Sequence, residues 1–288
     1  MPRIFDGTRP ANVIVFFSGG ASSMRAMLED ENHGKTYTVT GAYTDKEHAE
    51  GRKLCDDAGI PHIYRGRKEF YAERGLDPKQ WDSRRRFYDY LCGELAQFKP
   101  DIICLSGYMH IVADPLLNEY RDSVLNVHPS DLTILTGEHH ERVNAACMDQ
   151  ETAARLAYIY DVKRKFTGAN AVYDAVNDGE SETRSTVHIV TEELDGGPIV
   201  TQSRAFRIQP SWKTPLIDPE QVQRYANGLQ KQMKAGGDGP AYLKALGLIA
   251  TGRLSVTDTF TFVDHEELSV RKLFDGEKEL PYSGLRLN

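Results

Sequence analysis

Short apolar runs alternate with amphipathic stretches along the first 130 residues. Residues 12–17 read Asn-Val-Ile-Val-Phe-Phe, too short and too β-branched for a helix, which predicts a buried strand. Ser18-Gly19-Gly20-Ala21-Ser22-Ser23 is then a turn, and a helix starts at 24–29. Strands are predicted at 37–43, 61–64, 101–105 and 124–127, with helices at 46–58, closed by Gly59, and at 82–98, which stops before Pro100. Asp114-Pro115 opens a further helix, with Asp114 as N-cap and Pro115 at the first helical position. Strands and helices of these lengths in alternation predict an α/β chain with a doubly wound, mostly parallel, Rossmann-like sheet.

Beyond residue 130 the pattern changes. Residues 138–165 are polar and rich in Ala, which predicts one or two helices, and 169–176 another short one. Residues 186–190 and 199–206 are predicted as paired strands around a Gly-rich turn at Asp195. Residues 220–234 are amphipathic, the run Lys234-Ala235-Gly236-Gly237-Asp238-Gly239-Pro240 breaks that helix, and 242–250 form the next. The tail, 254–287, reads as short strands.

A formal net charge of −7 over 288 residues argues against broad binding to nucleic acid or to anionic membrane, both of which depend on excess Lys and Arg. No run approaches the roughly 18–20 apolar residues that span a bilayer. The first residues lack the apolar core of a secretory signal, so a cytoplasmic location is expected. The four cysteines, Cys55, Cys92, Cys104 and Cys147, are far apart in sequence and form no C-x-x-C pair, which disfavours a disulfide framework or zinc ribbon.

The candidate chemistry lies in Leu125-Asn126-Val127-His128-Pro129-Ser130 and in Ser185-Thr186-Val187-His188-Ile189-Val190 leading to Leu194-Asp195-Gly196-Gly197-Pro198. Alternate strand residues share a face, so Asn126 and His128 point the same way. An amide donor beside an imidazole at a strand end fits an oxyanion site, with Asp195 as the partner carboxylate; a buried polar pair closing the strand is the other reading. The turn 18–23 fits either an anion cradle at a helix N-terminus or a tight turn with a serine cap. It is neither a G-x-G-x-x-G turn nor a Walker A loop. Arg84-Arg85-Arg86 is a local anion site or a solvated helix face. His128, His139 and His140 with Asp131 or Glu138 form a rival metal set, but adjacent histidines on a helix point about 100° apart and ligate poorly together, so no metal is expected.

Taken in order, these segments resemble the glycinamide ribonucleotide formyltransferase family, which uses 10-formyltetrahydrofolate in purine biosynthesis. The resemblance rests on Val13 to Gly19, Ser83-Arg84-Arg85-Arg86-Phe87, Leu105-Ser106-Gly107-Tyr108-Met109-His110-Ile111-Val112, Asn126 to Ser130, Leu194 to Pro198 and Gly252-Arg253-Leu254. It implies one formyltransferase domain over 1–288 and the catalytic residues Asn126, His128 and Asp195. It further implies an acceptor phosphate on Ala21, Ser22 and Ser23, and Asp238 on the ribose by position alone. The folate, a co-substrate, falls to Arg84, Met109, His110, Ile111, Val112 and Asn126. Partners are then small molecules, and a homodimer is one arrangement the chain allows. In this scheme Asn126 and His128 stabilise the oxyanion, while Asp195 raises the imidazole pKa and relays the amine proton.

The chain departs from the family pattern in several places. The phosphate turn usually reads Ser-Gly-Asn-Gly-Ser-Asn, so Ala21 replaces a glycine and Ser23 an asparagine; a backbone needing positive φ at Ala21 would be strained. His110 stands for an arginine and Thr133 for a proline. An insertion of about thirty residues, at about 136–164, precedes Lys165-Phe166-Thr167-Gly168; helix is its expected state, and it is expected to border the amine pocket or to form a peripheral helix. The alternatives are a formyltransferase for another amine, such as an amino sugar, a non-catalytic folate- or nucleotide-binding homologue, and a metal hydrolase. The acidic chain lacks the basic second domain of a methionyl-tRNA formyltransferase.

Overall fold

Strand β1 (Ala11–Phe17) is buried along almost its whole length, the pattern of a central strand covered on both faces. It feeds α1 (Ser22–Glu29), β2 (Tyr37–Thr44), α2 (Gly51–Ala58) and β3 (His62–Tyr64). Then come α3 (Arg67–Glu73), α4 (Trp81–Leu95), β4 (Ile102–Leu105), α5 (Leu116–Glu119) and β5 (Val124–His128). The next segment carries β6 (Leu135–Thr136), α6 (Gln150–Ile159) and β7 (Lys163–Arg164). It is followed by α7 (Ala171–Asn177), β8 (Glu182–Thr183), β9 (Thr186–Ile189), β10 (Ile199–Gln202) and β11 (Phe206–Arg207). The chain ends with α8 (Pro219–Met233), α9 (Gly239–Ala250), β12 (Leu254–Val263), β13 (Glu266–Asp275), β14 (Lys278–Glu279) and β15 (Leu285–Arg286). The structure, a computed structural model, describes residues 3–209, 218–263 and 265–288.

Eight strands form the main sheet in the order β15-β10-β9-β5-β4-β1-β2-β3. The run β3-β2-β1-β4-β5 is parallel, and β9 pairs antiparallel with both β5 and β10. The α/β reading of the sequence is thus borne out, with a mostly parallel sheet between two helical layers. One core joins Val13, Val15, Leu125 and Val127 to α1 and α9; the other joins Ile14, Phe16, Ile103 and Leu105 to α3, α4 and α5. Alternation along each strand divides its residues between the two cores.

Several elements differ from expectation. Helix α2 begins at Gly51 rather than 46, and α3 was not foreseen. The stretch 138–165 holds one α-helix only, α6; β6, just before it, pairs antiparallel with β7 at its end. The Gly-rich run at 234–240 does not break the chain's helical course. Lys234–Asp238 forms a π turn between α8 and α9, and Pro240 sits in the first turn of α9, where its missing N–H is tolerated. Gly237 is needed there, since a Cβ would stand 2.7 Å from Ser185 Oγ and 2.8 Å from the Phe206 ring. The C-terminal strands β12 and β13 are ten residues each and pair throughout.

From α9, the buried Tyr242 hydroxyl reaches the carbonyls of Leu105 at 2.8 Å and Leu125 at 2.9 Å, tying the ends of β4 and β5 together. Tyr242→Phe is expected to cost about 1–2 kcal/mol of stability, because it removes the donor shared by these two buried carbonyls. Urea unfolding checks this; an unchanged midpoint would show that the hydroxyl contributes nothing.

Candidate active site

The carboxyl end of β5 and the β9–β10 loop bring four polar side chains together. In β5, Leu125 and Val127 face the core beneath α9, so Asn126 and His128 share the opposite face. Register places His188 of β9 directly across from Asn126. The loop after β9 then returns Asp195 to the same spot. Its Oδ2 lies 3.4 Å from His128 Nδ1, and its Oδ1 lies 3.5 Å from His188 Nε2. Asn126 Nδ2 is 3.2 Å from His188 Nε2. His188 Nδ1 faces the Ile189 carbonyl at 3.0 Å, and its Nε2 lies between the Asn126 amide and Asp195 Oδ1. The sequence alone gives His188 no role. Its signal was a lone histidine in an apolar strand, in phase with the sheet face that carries Asn126.

His128, His188 and Asp195 are all buried. Burial disfavours the imidazolium of His128 and outweighs the attraction of Asp195, so its pKa lies below the ordinary histidine value. Asp195 does pull it upward, as expected, but burial lowers it by more. His128 Nε2 donates to the Phe166 carbonyl at 2.8 Å, and Ser130 Oγ donates to the same oxygen at 2.7 Å. Burial also opposes ionisation of Asp195, yet the neighbouring His188 and His128 and the Gly168 N–H at 2.8 Å prevail. They hold the Asp195 carboxyl well below the usual carboxylate range. The site therefore pairs an ionised, buried carboxylate with an imidazole kept neutral by its surroundings.

Two turns border this cluster. Ala21 has φ 50° and ψ 47°, the left-handed conformation that a glycine would adopt without strain. Ser22 is exposed, whereas Ser23 is buried: its N–H donates to Ser106 Oγ at 3.2 Å, and its own hydroxyl has no hydrogen-bond partner among the described residues. In the turn after β4, Met109 is 63% and Ile111 39% exposed, while Val112 packs into the core. His110 Nε2 lies 2.9 Å from Asp45 Oδ2, and Ser18 Oγ donates to Asp45 Oδ1 at 2.5 Å. Ser18 Oγ accepts in turn from the Met109 N–H at 3.3 Å. Burial resists the charge on Asp45, but these partners lower its pKa to about 2.

Arg84 stacks over the Trp81 ring at 4.7 Å, and its buried Nε has no hydrogen-bond partner among the described residues. Asp238 is buried with its pKa raised by that burial, and it accepts from Ser185 Oγ at 2.6 Å. His139 and His140 are exposed beside Glu138 and Glu141, apart from the buried His128. Among the described residues, no group of three or more His, Cys, Asp or Glu is arranged to hold a metal.

Residues 11–153 and 164–214 match the family described as formyl transferase. The chain belongs to the formyl transferase family. It is similar to the phosphoribosylglycinamide formyltransferase of Escherichia coli (strain K12), 25% identical over 258 residues, covering 89% of this chain and 95% of that protein. It is also 25% identical over 250 residues to the trifunctional purine biosynthetic protein adenosine-3 of Gallus gallus, covering 86% of this chain and 19% of that longer protein. In fold, it resembles the phosphoribosylglycinamide formyltransferase of Coxiella burnetii, with a TM-score of 0.62, 22% identity and coverage of 97% and 100% of the two chains. The break in this formyl transferase's family match, 154–163, falls inside the segment 136–164 read as an insertion.

Two outcomes follow for the cluster. Asn126→Ala is expected to lower turnover by about 10²–10³-fold, the effect of losing one oxyanion donor. Steady-state kinetics on the folded variant check this, and turnover within a few-fold of the parent would remove Asn126 from the chemistry. The second concerns stability. The depressed His128 pKa means that the fold favours the neutral ring, so its contribution is complete above the ordinary imidazole value of about 6.5. It is lost as pH falls through the folded value. Unfolding free energy should therefore decline from pH 7 to 5, and more shallowly in His128→Gln; equal slopes by denaturant titration would contradict the assignment.

Proposed function

We propose that this chain transfers a formyl group from 10-formyltetrahydrofolate to the amine of glycinamide ribonucleotide, a step of purine biosynthesis. The observation that carries this reading is the convergence of Asn126, His128 and Asp195 at the end of β5, in a member of the formyl transferase family. The names of its relatives support the acceptor. We further propose one formyltransferase domain over the whole chain, acting in the cytoplasm on small molecules. Among the described residues, no helix is long and apolar enough to cross a membrane.

The reaction forms a bond from the acceptor nitrogen to the formyl carbon, breaks the bond from that carbon to N10, and passes the amine proton to N10. One Asn126 amide proton is engaged by His188, leaving the other to meet negative charge on the formyl oxygen. His128 is neutral at rest because it is buried. An anion growing beside it offsets that penalty, so the ring can take up the proton that the attacking amine gives up. Asp195, already ionised, steadies the charged ring and holds a water that carries that one proton on to N10. The exposed Met109 and Ile111 and the unpartnered Arg84 Nε suit an aromatic ligand with an acidic tail. Arg84 would hold the carboxylate of the folate's glutamate, and the turn at Ala21, Ser22 and Ser23 the acceptor phosphate.

The altered turn gives weight to a second acceptor class, such as an amino sugar, because the Ser23 N–H is already taken by Ser106. Assays of formyl transfer to glycinamide ribonucleotide and to a panel of amino sugars separate the two. If the turn cradles a phosphate, inorganic phosphate should compete with the acceptor and not with the folate. Initial-rate inhibition patterns check this; competition against the folate alone would place the anion elsewhere.

A further inference from the structure

We infer that Arg164, at the end of the inserted segment, is a positioning residue that braces Asp195, and that this is what the insertion does for the reaction proposed above, on which the inference rests. Asp195 is a non-glycine residue at φ 51°, a conformation that persists only when its surroundings enforce it. Its loop is packed tightly: a Cβ on Gly197 would fall 1.8 Å from the Ile189 carbonyl oxygen. The residue is held at both ends. Its carboxylate accepts from the Gly168 N–H, and its backbone carbonyl accepts from Arg164 Nη1. His128 is met by the same stretch of chain, through the Phe166 carbonyl. Residues 164–168 thus supply a contact to each end of Asp195 and one to His128.

The insertion fixes where that stretch lies. Leu135 pairs with Arg164, and the Lys165 N–H donates to the Ile134 carbonyl at 2.9 Å. Helix α6 rests on the β12–β13 hairpin, where Gln150 Oε1 accepts from the Leu273 N–H at 2.8 Å and Glu151 pairs with Lys272 at 2.8 Å. Asp149 bridges to Pro281, and the Tyr282 N–H donates to the Met148 carbonyl at 3.1 Å. Tyr282 is the far end of the brace: Arg164 Nε donates to its hydroxyl at 3.1 Å, and the guanidinium stacks over its ring at 5.4 Å. One planar side chain therefore spans from the C-terminal segment to the carbonyl of Asp195. An arginine does this and a lysine does not, because the two contacts use different nitrogens of a rigid fork. Helix α6 itself packs on the hairpin, so the insertion acts on the site through Arg164 and the residues after it.

The test uses the full chain with Arg164→Ala, Arg164→Lys and Tyr282→Phe. Arg164→Ala should lower kcat by about 10–100-fold, the scale of a catalytic group displaced by about an ångström, with KM for folate and acceptor within about threefold. Arg164→Lys and Tyr282→Phe should fall between it and the parent. In an Asp195→Asn background, Arg164→Ala should cost little more, since both changes disable the same group. A raised acceptor KM with unchanged kcat, or full additivity with Asp195→Asn, would overturn the inference. Amide hydrogen exchange gives a readout that does not depend on turnover. Arg164→Ala should speed exchange at Gly196 and Gly197 while residues 124–128 stay protected. Unchanged exchange in the loop would sink the inference even in an active enzyme. If the parent transfers no formyl group, the proposed reaction fails and the exchange result alone decides whether Arg164 braces Asp195.

Discussion

A charge removed from water must be met by donors and opposite charge from several directions, and the buried Asp195 carboxylate imposes that requirement on its surroundings. The Gly168 N–H donates to it at 2.8 Å, and His188 and His128 flank it at 3.5 and 3.4 Å, each from a different part of the chain. That arrangement needs β9 beside β5 and antiparallel to it, so that His188 falls opposite Asn126. It also needs the chain after the insertion to return past His128 with its backbone facing inward. The antiparallel β9 is thus tied to the chemistry: it sets His188 beside Asn126, and the β9–β10 loop, which leaves beside Val124, folds back to bring Asp195 to both histidines.

Ligand sites in sheets of this type lie beyond the carboxyl ends of the parallel strands, where several loops meet. Here those loops are joined by side chains. Asp45 after β2 links Ser18 after β1 to His110 after β4, and Ser106 meets the first turn of α1 through the Ser23 N–H. The two turns assigned to the acceptor and to the folate therefore share a hydrogen-bonded frame. His110, unusual at its position in the resemblance, is accounted for by the Asp45 carboxylate beneath it. Tyr88 adds a third support, donating to the Ile111 carbonyl at 3.1 Å.

The inserted segment and the long C-terminal hairpin stabilise one another. Leu135, Val143, Ala145 and Val162 form a small core of their own, with Tyr282 and Leu156 packed against it. Gln150 and Glu151 of α6 join this unit to β13, and Leu254, Val256 and Leu273 of the hairpin tie it to the main core.

Local pattern determined a good deal of this protein. Apolar runs of strand length, the spacing of helices and the Gly59 cap were readable because burial and backbone preference act over a few residues. The shared face of Asn126 and His128 followed from the twofold alternation of a strand. Their partnership with Asp195 came only through the ordered motifs of the family, because nothing local to either segment states that they meet. The π turn at 234–238 is not legible locally, since glycines there signal a break, whereas Gly237 is kept for its close approach to Ser185 and Phe206. The insertion was read as helical because its Ala and Glu favour helix, whereas pairing between Leu135 and Arg164 drew its ends into strands. The role of His188, the neutral state of His128 and the reach of Arg164 to Asp195 were decided by the tertiary structure alone. Each depends on register, burial or a contact between residues distant in sequence, and these exist only once the chain has folded.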